Sequence, residues 1–281
     1  MSKWPLGVFS SIDAGFGVPL EVANRLAVPT IHLHCPTAEF RTDEVADEFR
    51  DRVAKCCIRV TCVFAGFEGE SYADIPTVKR TVGLMPRQTR DHRAREFMQI
   101  AEFARLLEVD VVGLHIGFVP HDPQNLEYQR LVRLTQKLCD DCAARAQAIH
   151  LETGQEPAEV LMRFIEDVGC QNLYINFDPA NMILYGCGEP LDALKQVGPY
   201  VRSVHCKDAI WSDRPGETWG TEVPLGTGDV NIASYLATLE AIGYTGPLTI
   251  EREISQEPER QQREIGQAVQ LLSDLMQKIG A

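Results

Sequence analysis

Polar residues interrupt four otherwise apolar runs in the second half of the chain. Glu152 ends AIHLE, Asp178 ends LYINFD, His205 lies in VRSVHCK and Glu251 lies in PLTIERE. Side chains alternate between the two faces of a β-strand. If these runs are strands, His150 shares a face with Glu152, and Asn176 with Asp178. Ser203, His205 and Lys207 share another, as do Thr249, Glu251 and Glu253. The opposite parity carries Ile175, Phe177, Val204, Cys206, Leu248 and Ile250, a face suited to packing on helices. Carboxylates that converge without a cation repel one another and raise one another's pKa. A divalent ion removes that conflict, and two or three hard oxygens with one imidazole suit Mn2+, Mg2+, Zn2+ or Co2+. The pattern predicts one divalent metal ion on Glu152, Asp178, His205 and Glu251.

Such convergence needs strands that run side by side. Short apolar runs alternate with amphipathic stretches along the whole chain, the pattern of repeated βα units around a parallel sheet. The predicted strands are Leu6–Ile12, Thr30–His34, Ile58–Phe64, Val111–Ile116, Ala148–Glu152, Leu173–Asp178, Val201–Lys207 and Pro247–Glu253. The predicted helices are Pro19–Ala27, Asp43–Lys55, Arg90–Leu107, Gln124–Ala146, Pro157–Val168, Pro190–Val197, Asn231–Ile242 and Pro258–Ile279. Eight of each in strict alternation predict an α/β fold, a closed (β/α)8 TIM barrel. An open doubly wound sheet would carry a Gly-rich phosphate turn after an early strand, whereas the first strand here ends in Ser10-Ser11-Ile12-Asp13. About 250 residues suffice for such a barrel, so the 281 residues are expected to form one domain over 1–281. The longest irregular stretches, Ala65–Thr89 and Ala209–Val230, fall after strands, where barrels place function.

Composition narrows the classes of function. With 27 Lys and Arg against 40 Asp and Glu, the net charge of −13 repels polyanions and argues against nucleic-acid binding. No apolar run approaches the roughly 20 residues of a membrane span. Nine cysteines, an odd number, and an N-terminus without a basic segment leading into a long apolar one favour a reduced, cytoplasmic setting. Cys139 and Cys142 form a C-x-x-C within a helical pattern, but no second pair exists to complete a zinc site, and they read as ordinary thiols.

The segments LETGQE (151–156), NFDPAN (176–181), VHCKD (204–208), PLGTGDV (224–230) and IERE (250–253) together resemble the xylose isomerase-like TIM-barrel superfamily, and within it the sugar phosphate isomerases/epimerases. The resemblance is strongest from about Ala148 to Glu253. It implies the same four ligands, and it implies that Glu152 and Glu251 also act as acid/base catalysts on opposite faces of a small sugar-like substrate. One position departs from the pattern: many relatives carry His three residues after the Asp, where this chain has Asn181. That change argues against the multi-zinc apurinic endonucleases and against a substrate mode copied from ketose 3-epimerases. It leaves Asn181 as a candidate substrate contact.

Other candidate substrate contacts are His115 in GLHIG, Lys207 on the face of His205, and Arg214 and Trp219 in the long seventh loop. His121 lies near enough in sequence to reach the barrel mouth, Asp208 reads as a loop cap, and Gly226 and Gly228 read as turn residues. Phe9, Phe16, Phe64 and Phe67 either wall the mouth or pack in the core. The leading expectation is a metal-dependent isomerase or epimerase that abstracts a proton beside a carbonyl. A lyase or dehydratase of the same fold is the runner-up, followed by a nuclease and a silent sugar-binding barrel. A homo-oligomer is compatible with all of these.

Overall fold

The computed structural model describes residues 3–13 and 16–279. Eight parallel strands form its centre: β1 (Leu6–Ser11), β2 (Thr30–His34), β3 (Arg59–Ala65), β4 (Val111–Leu114), β5 (Ala148–Glu152), β6 (Leu173–Phe177), β7 (Val201–Cys206) and β8 (Leu248–Ile250). Each pairs with the next, and β8 pairs back onto β1 through Leu6–Leu248, Gly7–Thr249 and Val8–Ile250, closing the barrel. A two-residue strand, Val18–Pro19, adds to the upper end of β1. Around the barrel lie α1 (Leu20–Arg25), α2 (Asp43–Lys55), α3 (Ile75–Thr81), α4 (Arg90–Leu106) and α5 (Leu126–Ala143). They are followed by α6 (Ala158–Val168), α7 (Pro179–Tyr185), α8 (Pro190–Val197), α9 (Ile232–Ala241) and α10 (Pro258–Ile279). No helix among the described residues is long and apolar enough to cross a membrane.

Parity separates two cores. Ile31, Val63, Val112, Ile149, Ile175, Val204 and Leu248 point outward into one continuous apolar layer between sheet and helices. The ring of Phe177 stacks on Tyr235 of α9, as its outward parity requires. The barrel interior is divided instead. Phe9, Cys62 and Phe64 from early strands form a small apolar cluster. The later strands contribute His150, Asn176, Ser203, His205 and Thr249, all buried. Burying so many polar groups is unfavourable unless they are paired, which marks this half of the interior as a site.

Differences from the predicted elements fall at strand ends and in the long loops. Only Leu248–Ile250 of the predicted last strand pairs, so Glu251 to Glu253 continue past the sheet into the mouth. The sixth strand stops at Phe177 because Asp178 caps α7, with Pro179 in the helix's first turn. The stretch after β3 folds into α3, capped by Asp74 Oδ1 accepting the Thr77 N–H at 2.6 Å. The stretch after β7 forms an antiparallel hairpin, Asp208–Ile210 with Thr221–Val223.

Candidate active site and metal centre

Four chain segments bring Glu152, Asp178, His205 and Glu251 together. Glu152 is the last residue of β5, Asp178 caps α7, His205 lies in β7 and Glu251 directly follows β8. Each offers a ligand atom, and those atoms all lie within 4.8 Å of one another, buried. The cluster surrounds one imidazole nitrogen. His205 Nδ1 is 2.6 Å from Glu152 Oε1, 3.1 Å from Glu251 Oε2 and 3.7 Å from Asp178 Oδ2.

The local structure of Asp178 shows why the cluster fits a cation. Its Oδ1 accepts the Ala180 and Asn181 N–H groups at 2.8 and 3.0 Å, which fixes the carboxylate. Its Oδ2 is buried without a hydrogen-bond partner and faces the cluster. An unpartnered buried carboxylate oxygen is unfavourable; bound to a hard cation it becomes a ligand. On the far side of the ring, His205 Nε2 lies 3.1 Å from His32 Nδ1. Burial and the neighbouring His205 and His150 hold His32 well below its ordinary value, so it is neutral. A neutral His32 accepts the Nε2–H of His205 and leaves the Nδ1 lone pair aimed at the three carboxylates, the arrangement of a metal-ligating histidine.

Burial would lower the His205 pKa, but Glu251 and Glu152 hold it well above its ordinary value. Burial would likewise raise Glu152, but His115 and His205 hold it well below. The His115 Nε2 donates to Glu152 Oε2 at 2.8 Å, and this contact lifts His115 to about 9 against the effect of burial. Burial dominates at Glu251, pushing it up to about 7 despite Lys207 and His205.

Above the cluster opens a cavity of about 370 Å3. Of the predicted substrate contacts, His115, Asn181, Lys207 and Trp219 line it. Gly154, with φ 136°, lets β5 turn against α7, since a Cβ there would lie 2.5 Å from the Asn181 Cβ. Lys207 is buried, 3.4 Å from Glu251 Oε2 and 3.5 Å from Asn181 Oδ1, with its closest contact to Glu253. Trp219 is carried in by the hairpin after β7 and rests on Tyr185 with ring centroids 4.6 Å apart. Asp208 caps the turn that follows the hairpin: its Oδ2 accepts the Gly226 and Gly228 N–H groups at 2.9 Å, the role its sequence position suggested. Phe9, Phe16 and Phe64 line the opposite wall.

Other expectations need correction. Arg214 does not line the cavity: its side chain is 67% exposed and pairs with Glu217, three residues along a surface turn. His121 is exposed at the start of the loop before α5. Phe67 takes the core alternative, buried under the Arg93 guanidinium. Cys139 and Cys142, by contrast, are buried free thiols, as expected from the sequence.

Sequence reasoning also missed residues in the first half of the barrel. Thr30, His32 and His34 alternate along β2 with the same parity logic as the later strands, a signal present in TIHLH. His32 sits beneath His205, and His34 one layer above it lines the cavity beside Gly66, where a Cβ would lie 2.7 Å from the imidazole Nε2. Glu70 and Tyr72 enter from the loop after β3, which buried Arg93 fixes by donating to the Gly83 and Glu68 carbonyls at 2.9 and 3.2 Å. No periodicity in that loop could have announced them.

The xylose isomerase-like TIM barrel family profile matches residues 20–275, and the chain belongs to that family. A crystal structure of a xylose isomerase domain protein from Planctomyces limnophilus is 54% identical, with a TM-score of 0.96 and 99% of each chain covered. A D-tagatose 3-epimerase-like protein shares the fold at 18% identity, with a TM-score of 0.73 over 98% of this chain and 99% of that one. So does the probable 3-DHS dehydratase AsbF of Bacillus anthracis, at 15% identity and a TM-score of 0.64 over 90% and 92% of the two chains. Among curated proteins, YihM of Escherichia coli is 32% identical over 87 residues; the match spans 31% of this chain and 26% of YihM, about a quarter of that relative.

Proposed function

We propose that this chain is a divalent-metal-dependent isomerase or epimerase of a monosaccharide or sugar derivative, working by proton abstraction next to a carbonyl. The observation that carries the reading is the unpartnered Asp178 Oδ2 within a buried Glu–Asp–His–Glu cluster at the floor of a cavity. A divalent ion on Glu152, Asp178, His205 and Glu251 would supply Lewis-acid polarisation of a substrate carbonyl and hydroxyl. Glu152 and Glu251 reach the cavity from β5 and β8, three strands apart around the ring, so they face a bound carbon from different sides. One carboxylate takes the α-proton and the other returns a proton to the opposite face. His115 orients Glu152 through its 2.8 Å contact, and Lys207 and Asn181 fix the Glu251 side. Sugar epimerases among proteins of the same fold support this reading.

A metal-dependent lyase is the second reading. The probable 3-DHS dehydratase AsbF, a protein of the same fold, motivates it. Metal-reconstituted protein incubated with ketoses, inososes and keto-sugars in D2O separates the readings. Deuterium incorporation without a change of skeleton mass supports isomerisation or epimerisation, and loss of water supports the lyase. Absence of exchange across the panel, with about one metal ion bound per chain, refutes both.

A further inference from the structure

Away from the barrel mouth, the fold holds two thiols against each other. Cys139 lies on the inner face of α5 and is fully buried, whereas Cys170 follows the end of α6 and is half-buried. Gly169 ends α6 in the left-handed conformation, with φ 69°, so the chain leaves the helix at Cys170. Two side-chain amides clamp this corner to α5. Gln136 Nε2 donates to the Val168 carbonyl at 3.0 Å, and Asn172 Nδ2 donates to the Cys139 and Gln147 carbonyls at 2.9 and 3.0 Å. The clamps fall on either side of Cys170 in the chain, and between them the Cys139 and Cys170 thiols come within hydrogen-bonding reach of each other.

The two sulfurs are not equivalent. Burial pushes the Cys139 thiol up, and the neighbouring Cys170 pushes it further. Burial also raises Cys170, but the Cys139 S–H donated to it works the other way. Cys139 is therefore the donor and Cys170 the sulfur that gives up its proton first. The thiolate is the nucleophilic form, and Cys170 is also the sulfur that solvent reaches. Access and acidity fall on one thiol, with the buried one placed to attack it next.

We infer that Cys139 and Cys170 form a peroxide-oxidisable dithiol whose disulfide staples α5 to the corner between α6 and β6. The Cys170 thiolate attacks one oxygen of hydrogen peroxide and breaks the O–O bond. Cys170 becomes a sulfenic acid, and the departing hydroxide takes up the thiol proton as water. The Cys139 sulfur then attacks the Cys170 sulfur, the S–O bond breaks, and that hydroxide leaves as water with the Cys139 proton. Two thiols lose two electrons and one peroxide becomes two waters. The new bond closes a loop of about 30 residues that contains β5 and α6, which restricts the unfolded chain while the native clamps stay in place.

The test treats the full chain with hydrogen peroxide in the presence of a chelator, followed by alkylation and peptide mapping by mass spectrometry. A Cys139–Cys170 crosslink is expected within the monomer, lighter by two hydrogens and reversed by dithiothreitol. The thermal midpoint of the oxidised form should rise by roughly 5 °C or more. Cys170→Ser should abolish both the crosslink and the rise, whereas Cys142→Ala should keep both. A Cys139–Cys142 link, a Cys170 sulfinic acid beside an unlinked Cys139, or a pair that stays reduced while exposed Cys57 is oxidised overturns the inference. A crosslink that lowers the midpoint also overturns it, because the thiols would then have been forced together.

Discussion

His32 does not line the cavity described, yet the geometry predicts that affinity for a divalent ion at the proposed site depends on it. Its Nδ1 lies 3.1 Å from His205 Nε2, and the two rings are 1% and 0% exposed. For His205 Nδ1 to present a lone pair to a cation, the ring proton must sit on Nε2, where His32 accepts it. In His32→Phe the aromatic ring keeps its stacking partner Phe64, now 5.6 Å away at 28° to His32, so the packing survives. The Nε2–H is then buried without an acceptor, which costs about 1–3 kcal/mol. The imidazole escapes that cost by moving its proton to Nδ1, toward Glu152, and the metal must reverse the move. Loss of such outer contacts typically weakens metal binding about 10–100-fold. Competition against a fluorescent chelator measures the affinity, and denaturant unfolding of the metal-free form shows that the variant is folded. His32→Gln restores an acceptor oxygen and recovers most of the affinity. A His32→Phe variant that unfolds cooperatively and binds metal within threefold of the parent refutes the argument.

Replacing Glu152 or Glu251 by Gln keeps an oxygen ligand and removes a base, so turnover is expected to fall about 10²–10⁴-fold while metal binding weakens modestly; near-full turnover in both variants with metal bound would leave the carboxylates as ligands only. Glu156 is buried and accepts the Val119 N–H at 2.8 Å, and burial outweighs that bond and pushes its pKa from 4.5 up to about 8. Between those values the folded state holds a proton that the unfolded state has lost, so this residue's contribution favours folding most below pH 4.5 and declines as pH rises through 8, at up to about 1.4 kcal/mol per pH unit. Glu156→Gln should flatten the stability profile over that window, and parallel profiles for the two proteins would contradict the assignment. Deleting residues 1–11 removes the strand that joins β8 to β2 and should abolish cooperative folding; a compact, cooperatively unfolding product would show that closure through β1 is dispensable.

Alternation along the chain determined most of the barrel, because strand and helix periods are local properties of a sequence. The convergence of Glu152, Asp178, His205 and Glu251 was legible for the same reason: parity within each strand states which side chains share the interior, and successive parallel strands place them side by side. Parity holds equally for Thr30, His32 and His34, so the first half of the site was readable by a rule applied only to the second.

What the tertiary structure decided is of another kind. That His32 accepts from His205 depends on a contact across the barrel between residues 173 positions apart. That Lys207 has no N–H to spare depends on where Glu253 points after its strand has left the sheet. Arg214 and Trp219 lie five residues apart in one loop, yet one faces solvent and the other the cavity, because the chain turns between them where Glu217 and Thr218 N–H donate to the Arg214 carbonyl. Loops have no period from which direction can be read, and closure of the ring sets distances between strands that are remote in sequence. Residue types and local alternation therefore determined which groups this protein brings to its barrel mouth, whereas only the closed barrel and its packed loops decided which of them remain free to bind.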